Sequence, residues 1–275
     1  MGGYGWGNVQ ESELLDAISE ALDKGVNFFD TADTYGLGQS ERTLAKGLGE
    51  RRKNVVIESK FGVRVGGGKT VYDNSPEYIQ TALEESLRRL NTDYIDIYTI
   101  HYRDGKTPIA DVIGKLDELK AAGKIRHYGY AEKFVCCQDE FSLACRKNEA
   151  DLFSLQSKLH VTPMTWGSLG QGILTGKYGA DVKFGADDRR SREIYVNFHG
   201  EKLKQNLCIV EVLKKIAENH GRTVAACAIR WILDTLPESV VIAGVKRPSQ
   251  LDSNIEAMDW HLGIEEMKEL NEVAG

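Results

Sequence analysis

Short apolar segments alternating with helical ones predict a parallel α/β fold, and three observations carry that reading. Several apolar runs stop abruptly at a polar residue: 26–30 at Asp30, 55–60 at Lys60 and 94–100 just before His101. Buried parallel strands read as continuous apolar runs, and in barrels and open α/β sheets functional side chains gather where such strands end. Between the runs, apolar residues recur at helical spacing, as in Leu14, Ala17, Ile18, Ala21 and Leu22. The connections are only a few residues long, which suits strand–helix repeats.

In chain order, the first helix is stopped by Gly25, and the strand ending at Asp30 follows at once. Ser40, Leu44 and Leu48 mark a second helix before the strand 55–60. The stretch 65–68, Val-Gly-Gly-Gly, reads as a flexible loop. Ser75-Pro76 starts a third helix, with a cap residue followed by proline at the first helical position. After the strand 94–100, a helix around Val112, Leu116 and Leu119 closes at Gly123 and leads into a strand at 125–130. A helix near Phe141 and Ala144, then strands at 152–156 and 163–166, are expected next. Two helices follow, the second capped by Thr223, then a strand at 239–243, a helix from Pro248 and a last one near Met267 and Leu270.

These are seven strands, whereas a closed barrel of parallel strands needs eight. Nothing before Leu14 supplies a first strand. The interval from Gln156 to Pro163 is too short for a parallel crossover, which takes roughly ten to twelve residues. Either those two strands are not parallel neighbours or a helix has been lost there. No repeat or interdomain linker interrupts the chain, so residues 1–275 are expected to form a single domain.

Composition excludes several classes of function. A net charge of −6 and an isoelectric point near 5.6 argue against a general nucleic-acid binder, while leaving room for a local basic site for one small anion. No apolar run reaches the roughly 18 residues of a membrane span, and no signal-peptide pattern opens the chain. The five cysteines lack zinc-ligand spacing, so no metal site is expected, and a cytoplasmic location with reduced thiols is the default.

Asp30, Tyr35, Lys60 and His101 form a chemically coherent set. Taken singly, each would be an ordinary cap, ion pair or rim residue; their joint placement at three successive strand ends is what matters. A phenol of pKa near 10 is a weak acid at neutral pH, and a cationic lysine beside it favours the phenolate. An aspartate keeps that lysine charged and fixed, and a histidine can orient a carbonyl oxygen. The set suits protonation of a carbonyl oxygen as hydride arrives from elsewhere.

The motifs are also specific. The run from Phe28 to Gly36, followed by Gly38-Gln39-Ser40-Glu41, resembles the signature of aldo-keto reductases. Ser59-Lys60-Phe61-Gly62, Ile100-His101-Tyr102-Arg103-Asp104, the stretch 170–178 and the stretch 244–254 do so too, over about residues 7–270. The resemblance implies an α/β (β/α)8 TIM barrel, here lacking strand 1 and one helix. It also implies NADPH-dependent reduction of an aldehyde or ketone. Tyr35 would be the general acid, Lys60 would lower its pKa, Asp30 would pair with Lys60, and His101 would position the carbonyl.

The same resemblance implies a cofactor site. Trp166 would stack on the nicotinamide and Gln156 would hold its carboxamide. Gly167, Ser168, Leu169, Gly170 and Gly172 would lie along the pyrophosphate. Gly244, Val245, Lys246, Arg247, Gln250 and Asn254 would also bind the cofactor. Lys246 and Arg247 also have a physical argument of their own, since two cations at a helix start suit the 2′-phosphate of NADP.

The chain departs from the family pattern in two places. Ala131 and Glu132 stand where a serine and an asparagine usually hold the carboxamide, and Gly167-Ser168 replaces a Ser-Pro pair. Glutamate can accept the amide N–H, but alanine offers nothing. Two rival readings follow: a cofactor-retaining sugar dehydrogenase or epimerase, and a non-enzymatic NADPH-sensing subunit. Tyr4, Trp6, Tyr102 and Tyr195 are candidates for the substrate pocket. Substrate identity and oligomeric state are left open by the sequence.

Overall fold

A computed structural model describes residues 9–66, 69–129 and 136–275. These fall into two compact units, residues 9–129 with Gly244–Pro248, and Cys136–Ala243 with Ser249–Gly275.

The first unit is built on a four-stranded parallel sheet. After α1 (Glu11–Asp23) come β1 (Phe28–Asp30), α2 (Gln39–Leu48), β2 (Val56–Phe61), α3 (Pro76–Leu90), β5 (Ile95–Ile100), α4 (Ile109–Ala121) and β6 (Ile125–Gly129). The strands lie in the order β1-β2-β5-β6. In register, Asp30 lies opposite Glu58, Lys60 opposite Thr99 and Phe61 opposite Ile100. Because every strand runs the same way, the residues that end them share one rim. The unit's core is apolar: Leu14, Ile18, Leu44, Ile57, Phe61, Ile79, Leu83, Ile95 and Tyr98 are essentially inaccessible.

Local signals behave as the sequence reading expects in this unit. Gly25 adopts φ +82° directly after α1. The Ser75 hydroxyl caps α3 by accepting the Tyr78 N–H at 3.3 Å, with Pro76 as the first helical residue. The stretch around Val65 differs from expectation. Val63–Gly66 (β3) pairs antiparallel with Lys69–Tyr72 (β4), so Val65 and Gly66 belong to a hairpin and not to a loose loop. Glycine content concealed the alternation that would have marked these strands. Gly67 and Gly68 lie outside the described residues.

The second unit holds a three-stranded parallel sheet, β7 (Cys136–Glu140), β8 (Thr162–Trp166) and β9 (Val240–Val241), in that order. Its helices are α5 (Glu149–Leu159), α6 (Gly200–His220), α7 (Val224–Thr235), α8 (Pro248–Ile255) and α9 (Ile264–Ala274). Thr223 caps α7, its hydroxyl accepting the Ala226 N–H at 3.2 Å. Phe141, Leu152, Ile173, Leu213 and Trp231 lie in the core, with Phe141 and Trp231 stacked at 5.2 Å between ring centroids.

Three expectations fail here for one reason. The stretch 152–156, expected to be a strand, lies inside α5, and the expected helix near Phe141 and Ala144 is absent, those residues lying in a turn closed by a Ser142–Cys145 bridge. The strand is Cys136–Glu140, whose polar residues gave no apolar run to recognise. With the strand and helix exchanged, residues 141–161 connect β7 to β8 through a full helix, and no helix is missing between Gln156 and Pro163. Residues 130–135, between β6 of the first unit and β7 of the second, lie outside the described residues. Seven parallel strands in all, each followed by or packed with helices, give these residues the α/β character of a (β/α)8 fold.

Among the described residues, no helix is long and apolar enough to cross a membrane.

Candidate active site

The rim of the first sheet brings Asp30, Tyr35, Lys60 and His101 together. Lys60, the last residue but one of β2, is almost completely buried, its ammonium ion-paired with Asp30 on the neighbouring strand and donating to the Thr31 carbonyl at 3.0 Å. Tyr35 comes from the turn after β1, where its N–H reaches back to the Ala32 carbonyl at 3.2 Å. Lys60 Nζ lies 5.3 Å from the centre of the Tyr35 ring. His101 follows β5 and is pinned by its own N–H to the Phe61 carbonyl at 2.8 Å. Its ring meets Tyr35 edge-on at 5.8 Å, and its Nδ1 lies 3.5 Å from the Thr34 hydroxyl.

The turn that presents Tyr35 is shaped by backbone and by a buried ion pair. Gly36, Leu37 and Gly38 all take positive φ. A Cβ on Gly38 would come within 2.5 Å of the Arg89 side chain, so the chain there must pass without one. Arg89 Nε donates to the fully buried Glu41 carboxylate at 2.5 Å, and Glu41 also accepts the Ser59 hydroxyl at 2.7 Å. Helix α2 is thereby tied to β2 directly beside Lys60.

Electrostatics sharpen the roles open to each group. Burial pushes the Tyr35 phenol up to about 12, outweighing the opposing effect of Lys60. The expectation of a lowered phenol is therefore met in sign for Lys60 but not in the balance, and Tyr35 keeps its proton throughout the neutral range. Burial and the nearby Lys60 push His101 down to about 4, so its imidazole is neutral and can donate a hydrogen bond without carrying charge. Burial works against the Lys60 cation, yet Asp30, Tyr35 and Glu58 outweigh it and hold its pKa above the ordinary value. Burial raises Asp33 to about 7, with Glu41 adding to the effect.

A stack of rings leads outward from His101. Tyr102 lies over the imidazole at 4.9 Å, and Tyr72 of the hairpin lies 5.3 Å from Tyr102, both tyrosines about half exposed. Asn74, fully buried, clamps this region: its Nδ2 donates to the Tyr102 carbonyl at 3.1 Å, and it exchanges two hydrogen bonds with Asp104, at 2.8 and 2.9 Å. A cleft of about 840 Å³ lies elsewhere, lined by Arg52, Lys53, Asn91, Tyr94 and Lys124 where the same strands begin. Those are the N-terminal strand ends, away from the rim that carries the four groups.

In the second unit, Trp166 ends β8 with its indole partly exposed, as a stacking surface requires. Ser168 is buried, and its hydroxyl donates to the carbonyls of Thr165 (3.0 Å) and Ile242 (3.2 Å), tying β8 to the end of β9. Gly167, Gly170 and Gly172 take positive φ in the turn that also carries Leu169. Gln156 is not at a strand end: it sits on α5, its amide donating to the Pro237 carbonyl. Gln138 is on β7, opposite Met164 in register and two residues before Glu140, which lies opposite Trp166. Alternating sides along a strand put Gln138 on the same face as Glu140 and Trp166. Its polar neighbours gave no strand signal.

Gly244, Val245, Lys246 and Arg247 run from the last strand into α8, and Gln250 and Asn254 lie on that helix. Gly244 has open space around its α-carbon. Two cations next to the first turn of a helix fit a phosphate monoester. Ala131, Glu132, Tyr4 and Trp6 lie outside the described residues. Among the described residues, no group of three or more His, Cys, Asp or Glu is placed to hold a metal ion.

Comparison with known proteins agrees with this geometry. The family model described as the aldo/keto reductase family matches residues 1–274. Aldo-keto reductase YhdN of Bacillus subtilis (strain 168) is 32% identical, over 99% of this chain and 87% of that protein. Aldo-keto reductase yakc [NADP(+)] of Schizosaccharomyces pombe (strain 972 / ATCC 24843) is 30% identical, over 97% of this chain and 84% of its own length. The solved structure of a glycerol dehydrogenase from Gluconobacter oxydans superposes with a TM-score of 0.88 at 32% identity, over 99% of this chain and 88% of that one. With its parallel strands, its rim of Asp30, Tyr35, Lys60 and His101 and a match over nearly its whole length, the chain belongs to the aldo/keto reductase family.

Proposed function

We propose that the protein reduces an aldehyde or ketone to an alcohol with NADPH, Tyr35 donating the proton. The observation that carries this reading is the convergence of Tyr35, His101 and the buried Lys60–Asp30 pair at one strand rim. Tyr35 keeps its proton at neutral pH and delivers it to the carbonyl oxygen as negative charge develops there. Lys60 sits beside the phenol and stabilises the phenolate left behind, and Asp30 keeps Lys60 charged and in place. Neutral His101 hydrogen-bonds the carbonyl oxygen and fixes its direction. NADPH, when bound, supplies the hydride.

The residues that would hold the cofactor are Trp166 for the nicotinamide ring, the turn Gly167, Ser168, Leu169, Gly170 and Gly172, and Gly244, Val245, Lys246, Arg247, Gln250 and Asn254. Ser168 acts through its backbone, since its hydroxyl is engaged with Thr165 and Ile242. Gln138 replaces Gln156 as the carboxamide partner, because it is the glutamine on a strand. The NADP(+) in the name of the fission-yeast relative supports the choice over NAD. We further infer one domain, in the cytoplasm, acting on a small carbonyl compound without nucleic acid or membrane. The family match over residues 1–274 supports the single domain and the small carbonyl substrate, and the net charge of −6 argues against nucleic acid.

A second reading is alcohol oxidation, favoured by the resemblance to a glycerol dehydrogenase. One experiment addresses both: oxidation of NADPH and NADH with a panel of aldehydes and ketones, and the reverse assay with polyols. Carbonyl-dependent NADPH oxidation is expected. Tight NADPH binding with no turnover in either direction would instead indicate a cofactor-sensing subunit.

A further inference from the structure

Beside the four rim groups stands a second carboxyl group that the reaction as described does not use. Glu58 lies opposite Asp30 in the β1–β2 register and two residues before Lys60 on the same strand. Side chains at register partners of a parallel pair, and at alternate residues of one strand, share a face. Asp30, Glu58 and Lys60 therefore crowd together, and Thr99, opposite Lys60, completes the cluster by donating its hydroxyl to Glu58 at 2.8 Å. Glu58 is fully inaccessible and Lys60 is 2% exposed.

The charge count is decisive. Two carboxylates and one ammonium, Glu58 and Lys60 withdrawn from water and Asp30 only 11% exposed, would leave a net negative charge, and an uncompensated buried charge is strongly unfavourable. Asp30 is already ion-paired with Lys60. A proton on Glu58 neutralises the cluster and turns its carboxyl into a donor for Asp30, with which it is within hydrogen-bonding reach.

We propose that Glu58 is a positioning residue for proton donation: protonated, it braces Asp30 against Lys60 as a neutral unit behind Tyr35, and its ionisation slows carbonyl reduction. The proposal rests on the reductase reading of Tyr35. Burial, with Asp30 adding to it, raises the Glu58 carboxyl to about 7, so the switch falls in the physiological range. The groups facing Glu58 are Asp30 from β1, Lys60 from β2, Tyr35 from the turn after β1 and the uncharged Thr99 from β5. Helix α3, packed on β2, buries only Ile79, Ala82, Leu83, Ser86, Leu87 and Leu90, and its Arg89 is held by Glu41. An ionised Glu58 is one of the groups that raise the Tyr35 pKa, so its ionisation weakens the acid that must act.

The test is the pH profile of kcat/KM for carbonyl reduction in wild type, Glu58→Gln and Thr99→Val, with infrared titration of the same proteins. Wild-type kcat/KM should fall by roughly threefold to tenfold as pH rises through about 7, because ionised Glu58 weakens the acid. Glu58→Gln, neutral at every pH, should lose that fall. Thr99→Val removes a donor that favours ionised Glu58, so the fall should move to higher pH. Infrared difference spectra should show protonated-carboxyl bands that disappear above pH 7 in wild type, of which the Glu58 band is missing in Glu58→Gln while the Asp33 band stays. A fall that persists in Glu58→Gln, as one belonging to Asp33 would, overturns the proposal, as does absence of the Glu58 band from wild type. A protein that reduces no carbonyl but keeps the Glu58 band refutes the reductase reading instead.

Discussion

Glu41 and Arg89 form an ion pair in which the carboxylate is wholly inaccessible and the guanidinium is 13% exposed, with Nε and oxygen 2.5 Å apart. This pair fixes α2 to α3, and the Ser59 bond to the same carboxylate fixes both to β2. Breaking one side of such a pair leaves a buried charge, which typically costs about 3–5 kcal/mol. Arg89→Met should lower the urea-unfolding free energy by about that amount. The double variant Glu41→Leu with Arg89→Met should recover much of the loss, because neither charge is then stranded.

Replacing Tyr35 by phenylalanine removes one hydroxyl and little volume. Carbonyl reduction should drop by about 10²–10⁴-fold, the usual worth of a general acid, with NADPH affinity changed less than about twofold. Steady-state kinetics and a fluorescence titration of the cofactor separate the two quantities. Unchanged turnover would remove Tyr35 from the chemistry.

His101 couples folding to pH in a definite direction. Its pKa is about 4 in the folded protein against an ordinary value of 6.5, so the unfolded chain binds the proton more readily. Its contribution to stability is present above pH 6.5 and is lost as pH falls towards 4. Wild type should therefore lose on the order of 2 kcal/mol relative to His101→Gln across that window, measured by denaturant unfolding at several pH values.

Gly62 has φ +102°, and a Cβ there would come 2.5 Å from Asn74 Nδ2 and 2.9 Å from the Tyr102 carbonyl. Gly62→Ala should destabilise the protein by roughly 1–3 kcal/mol and lower kcat, because the displaced backbone also carries His101. An alanine variant with wild-type melting and kinetics would show that this clamp yields freely.

Lys246→Ala and Arg247→Ala should each weaken NADPH binding about tenfold while leaving NADH binding nearly unchanged, the expected loss of one charge-assisted contact to phosphate. Equal effects on both cofactors would place the 2′-phosphate elsewhere.

The first unit was far more legible in the sequence than the second. Asp30, Lys60 and His101 end strands of strongly apolar residues, so periodicity located them to within a residue. Caps at Ser75 and Thr223 were equally visible, because a hydroxyl before a helix has one local meaning. Cys136–Glu140 is a polar strand and Leu152–Gln156 an apolar piece of helix, and in so short a window burial and period conflict. That exchange put Gln156 on α5 where a strand end was expected. The hairpin was hidden by Gly66-Gly67-Gly68, and Glu58 by its position in an otherwise apolar run. The raised Tyr35 pKa depends on burial, which a sequence motif does not report.

The stack from His101 through Tyr102 to Tyr72 crosses from the central sheet to the β3–β4 hairpin. Asp30, Lys60 and His101 sit on or just beyond strands locked by their neighbours, whereas the outermost aromatic belongs to a two-stranded ribbon. On the proposed reading, changes at 63–66 and 69–72 would therefore alter the outer ring stack while Tyr35 and Lys60 stay untouched. A library confined to that ribbon is the natural starting point for directed evolution of this scaffold towards new carbonyl compounds.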